Sequence, residues 1–121
     1  MTNEYYGPSQ FARSEINKLL GFVATGKEQD WEFEFAAPSR IQEMLDILEN
    51  AILGDESRDA LALLLIASLE ELDSLSELEE QRAIKWFERN KIVRRKMFFY
   101  WIQLRRASNP EQVLKLLADD S

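Results

Sequence analysis

The chain has 121 residues and a mass of 14.2 kDa, enough for one hydrophobic core and too short for two independent ones. Apolar residues make up 45% and charged residues 31%, so it can fold alone; with no cysteine and no histidine it has no disulfide, zinc finger, thiol nucleophile, histidine base or histidine-ligated metal. Twenty-two acidic against fifteen basic side chains leave a net charge of −7, which disfavours nucleic acid and anionic membrane surfaces as partners and favours a basic one.

The opening MTNEYYGPSQ lacks the basic and apolar regions of a signal peptide, and no stretch approaches the roughly eighteen apolar residues of a membrane span. A cytoplasmic protein with no membrane partner is expected, with residues 1–8 as a flexible N-terminus. A first helix is predicted from Ser9 to Thr25, its apolar stripe made by Phe11, Ala12, Ile16, Leu19, Leu20 and Val23, with Gly26 at the left-handed cap and Gly21 a weak point inside. Next, Trp31, Phe33 and Phe35 alternate with Glu32 and Glu34, the period of a strand. Without a second strand to pair with, residues 27–37 read as an extended aromatic arm over the helices.

Pro38 and Ser39 open a second helix, with Ser39 and Gln42 placed for a capping box and Ile41, Met44, Leu45, Leu48 and Ile52 recurring at helical spacing until Gly54 stops it. A third runs from Asp55 to Leu72. Its acidic first turn suits a helix N-terminus, and its middle, ALALLLIASL, predicts burial on nearly every side. Ser74 and Glu77 make a further capping box and begin a helical pattern reaching Ala107, with Asn90 as a break. Within it Trp86, Val93, Met97, Tyr100 and Leu104 share one face, while Ile84, Phe87, Phe98 and Ile102 lie opposite. Asn109, Pro110, Val113, Leu114, Leu116 and Leu117 predict a short terminal helix. The expected fold is a single all-α domain, an irregular or HEAT-like bundle of five to six helices, whose core holds Leu45, Leu48, Leu63, Leu64, Ile66, Leu69, Ile84, Phe87, Phe98 and Ile102.

Charge is segregated along the chain. From Glu28 to Glu80 there are sixteen carboxylates against two arginines, and from Arg82 to Arg106 nine basic residues against one carboxylate, Glu88. Either the two segments pack together and neutralise each other, or one face stays exposed as a docking surface. The docking candidate is acidic: Glu43, Asp46 and Glu49, with Asp55, Glu56 and Asp59 across the Gly54 turn, make one negative patch that can mimic a phosphate path or cap a cationic active site. Trp31 and Phe33 of the arm add aromatic contacts of the type found at binding hot spots.

The alternative surface is basic. Arg82, Lys85, Arg89 and Lys96 line one side of a helix and would serve a nucleic-acid-associated regulator, although the neighbouring aromatics sit at core spacing rather than beside that stripe. A third possibility is homo-oligomeric assembly through the helix with Trp86 and Trp101, so monomer and homodimer both stay open. The carboxylates Glu70, Glu71, Asp73, Glu77, Glu79 and Glu80 have neither the EF-hand order nor a Glu-x-x-His pair, so no metal or other cofactor is expected. No catalytic residue is assigned, and the chain reads as a non-enzyme.

In size, acidity, absence of Cys and His, the two-helix unit around Ile41–Leu72 and the aromatic-basic helix with Trp86 and Trp101, the chain resembles the small all-helical immunity proteins of bacterial toxin–immunity pairs. That resemblance implies a stoichiometric inhibitor that binds a basic toxin domain, often a nuclease, and blocks its active site or substrate groove.

Overall fold

The computed structural model describes residues 8–22, 31, 35–71, 76–90, 95–97 and 100, and the regular elements among them are all helical. Helix α1 spans Gln10–Leu20. It starts there because Ser9 is extended and its Oγ accepts from the Ala12 amide at 3.1 Å, supplying one of the free amides with a partner. It stops at Gly21, whose φ of +74° is left-handed and would strain any residue with a Cβ. The expected run to Thr25 is therefore cut short at the first glycine, and Val23 and Gly26 lie outside the described residues. Ala12, Ile16 and Leu20 are buried, whereas Phe11 and Leu19, expected in the same stripe, face outward.

The chain then re-enters the core at Trp31, which is fully buried. Its carbonyl accepts from the Phe35 amide at 3.0 Å. The expectation of Trp31 as an exposed contact is corrected at this point: it is a core residue, and its indole Nε1 donates to Asn17 Oδ1 at 2.8 Å.

Pro38–Arg40 form a 3-10 turn that leads into α2, Ile41–Asn50. The capping box expected from Ser39 and Gln42 is absent. A capping hydroxyl must precede the first helical turn in an extended conformation, and Ser39 already lies within the turn. Helix α2 buries Ile41, Met44, Leu45 and Leu48. It ends at Asn50, where Ala51 becomes extended, so Ile52 is fully exposed instead of completing the stripe. Gly54 begins the next element rather than stopping this one.

Helix α3, Asp55–Glu70, has Asp55 and Glu56 in its first turn, where carboxylates complement the helix dipole. Arg58 reaches back to the carbonyls of Leu48 at 2.7 Å and Ala51 at 3.3 Å, satisfying acceptors that the end of α2 leaves free. One side chain thus locks the α2–α3 connection. Ala60 to Ala67 and Leu69 are all buried, as expected for a helix apolar on every side, and α3 is flanked by α1 and by α2. Ser68 is buried too. Its hydroxyl donates to the Leu64 carbonyl at 2.8 Å and accepts from the Ala37 amide at 2.9 Å, which ties the chain before α2 to the middle of the domain.

Helix α4, Glu77–Asn90, packs on α2. Its capping box uses Ser76 and Glu79: the Glu79 amide donates to Ser76 Oγ at 3.1 Å, and the Ser76 amide donates to the Glu79 carboxylate at 3.4 Å. This box repeats, two positions later, the signature expected at Ser74 and Glu77, and Ser74 lies outside the described residues. Ala83, Trp86 and Phe87 are buried on one side of α4, with Trp86 and Phe87 edge to face at 5.5 Å, and Ile84 is partly buried beside them. Trp86 of one expected face and Ile84 and Phe87 of the other thus all contribute to the core. Met97 is buried and Tyr100 packs against the core. The expectations for the rest of residues 1–7 and 27–34, and for Val93, Phe98, Trp101, Ile102, Leu104 and the terminal helix, lie outside the described residues. Among the described residues no helix is long and apolar enough to cross a membrane.

Candidate partner-binding surface

The six carboxylates expected to form one patch are held by different neighbours. On α2, Glu43 is gripped by both nitrogens of a bidentate Arg40, each at 2.8 Å. The Arg40 guanidinium also lies over the Phe22 ring at 5.4 Å, and Phe22 stacks on Phe35 at 5.2 Å. The hydrogen bonds from Arg40 hold the Glu43 carboxyl below the usual range and raise Arg40 in turn.

Asp46 and Glu49, on successive turns of α2, converge on Arg82 of α4 at 2.7 and 3.0 Å. The Arg82 side chain is only 21% exposed, and its pKa is raised, first by the bond to Asp46, against the opposing effect of desolvation. Here the acidic and basic segments of the chain neutralise each other. The basic stripe expected for nucleic acid loses its first member to this contact, while Lys85, Arg89 and Lys96 stay exposed.

The carboxylates at the start of α3 have another environment. Glu56 accepts from the Ser9 hydroxyl at 2.8 Å, and Ser57, itself buried, donates its hydroxyl to Glu15 of α1. Two serine–carboxylate bonds thus cross the α1–α3 junction in opposite directions. Between them opens a groove of about 430 Å³, lined by Phe11, Glu15, Gly54, Asp55, Glu56 and Ser57. Phe11 is 72% exposed at its edge. Asp59 is half-buried one turn further along α3. So Asp46 and Glu49 engage α4, whereas Glu56 engages the start of α1.

Of the two aromatic candidates, Trp31 is sequestered in the core and Phe33 lies outside the described residues. The groove instead brings in Phe11, Glu15 and Ser57, which sequence reasoning did not select. The signal was present: positions 12, 16 and 20 form an uninterrupted apolar row, but 11, 15 and 19 contain a glutamate, which marks that row as the outer one. Among the described residues no group of three or more carboxylates is arranged to hold a metal ion.

No family model, curated protein or solved structure matches the chain.

Proposed function

We propose that the chain is a non-catalytic binding module that neutralises a basic protein partner, as an immunity protein does with a cognate bacterial toxin of nuclease-like basicity. The observation that carries this reading is the contrast between the two sets of carboxylates. Glu43, Asp46 and Glu49 are matched by guanidinium groups, whereas Glu15 and Glu56 bond to neutral serine hydroxyls that order them without cancelling their charge. Negative groups fixed on packed helices attract a cationic partner and raise its association rate above the neutral baseline of about 10⁵–10⁶ M⁻¹s⁻¹. The α2–α3 hairpin, in this reading a HEAT-like unit, supplies rigidity, and the protein acts in the cytoplasm of the producing cell.

The test uses the protein encoded by the adjacent reading frame, purified and mixed with this chain. Complex formation is expected, with association slowed by salt and by Glu56→Lys. Reversal of Asp46 or Glu49 should act mainly on stability, through Arg82. Failure of the two proteins to associate at low salt would remove the proposal.

A further inference from the structure

We draw no further inference here: the strongest candidate, the exposed basic patch of Lys85 and Arg89 on α4 with Arg95 and Lys96 beyond it, carries nothing because the exposed Glu88 shares that surface and nothing in the structure shows what covers it.

Discussion

Asn17 and Trp31 form a buried polar pair whose energetics the geometry makes calculable. Asn17 is 3% exposed, its Oδ1 accepts from the Trp31 indole, and its Nδ2 is buried with no partner among the described residues. Trp31→Phe removes the donor, so Oδ1 joins Nδ2 as an unpaired buried atom at a cost of about 1–3 kcal/mol, and the smaller ring adds roughly 1 kcal/mol of lost packing. Asn17→Leu, nearly the same shape, orphans the indole N–H but deletes the atom that is already unpaired. Those two effects are of similar size, about 1–3 kcal/mol each, and offset. The single change should therefore lie within about 1 kcal/mol of the wild type. With both replaced no polar atom is left, so the packing loss stays and the unpaired Nδ2 is gone as well; the double variant should be more stable than the sum of the singles predicts by about 2–6 kcal/mol, one orphaning cost of about 1–3 kcal/mol for each of the two groups that loses its partner in a single variant. Urea unfolding of the four proteins, with m unchanged between them, measures this directly. Additivity within about 0.5 kcal/mol, or a cost for Asn17→Leu as large as that for Trp31→Phe, would refute the reasoning.

Three further outcomes follow from the packing and the ion pairs. Leu64→Ala, at a fully buried position of α3, should cost about 2–5 kcal/mol by chemical denaturation, whereas an effect below 1 kcal/mol would place Leu64 outside a close-packed core. Arg82→Met should lower stability by about 1 kcal/mol and show a coupling of about 0.2–1 kcal/mol with Asp46→Asn in a double-mutant cycle, since the guanidinium joins α4 to α2 through two carboxylates; zero coupling would deny the contact. Glu43, held by Arg40, has a folded-state pKa below its ordinary 4.5, so its contribution to stability is fully present above that value and is lost as pH falls through the folded-state pKa. A carboxyl ¹³C titration should show the low midpoint in the wild type and its return towards 4.5 in Arg40→Gln, and identical midpoints would show that the pair does not form in solution.

The parts of this fold that were legible in the sequence are those set by local pattern. ALALLLIASL has apolar residues on every side of a helix, so burial of α3 from all directions follows from the chain alone. The general result that acidic and basic segments meet was visible in the charge counts, yet nothing local says that Arg82 chooses Asp46 and Glu49. Helix ends were harder because their signals repeat. Gly21 and Gly26 are both competent left-handed caps, and Ser74–Glu77 and Ser76–Glu79 spell the same box, so tertiary packing decides between them. Trp31 was misread for a different reason. Its alternation with Glu32 and Phe33 is the pattern of a strand, while the partner that draws it inward, Asn17, is a polar residue on the previous helix, and sequence periodicity carries no information about such a pair. The groove was missed in the same way, through Phe11: adjacent residues 11 and 12 both look core-facing until Glu15 is used to separate their rows.

The central claim, that this chain neutralises a basic protein by direct binding, is tested most directly by titrating the purified product of the adjacent reading frame with the folded chain and following that product's own activity. The account predicts a linear fall to near zero at one equivalent, with weaker inhibition at high salt and in the Glu15→Gln and Glu56→Gln pair. Full activity retained in a several-fold excess of folded chain at low salt would contradict it.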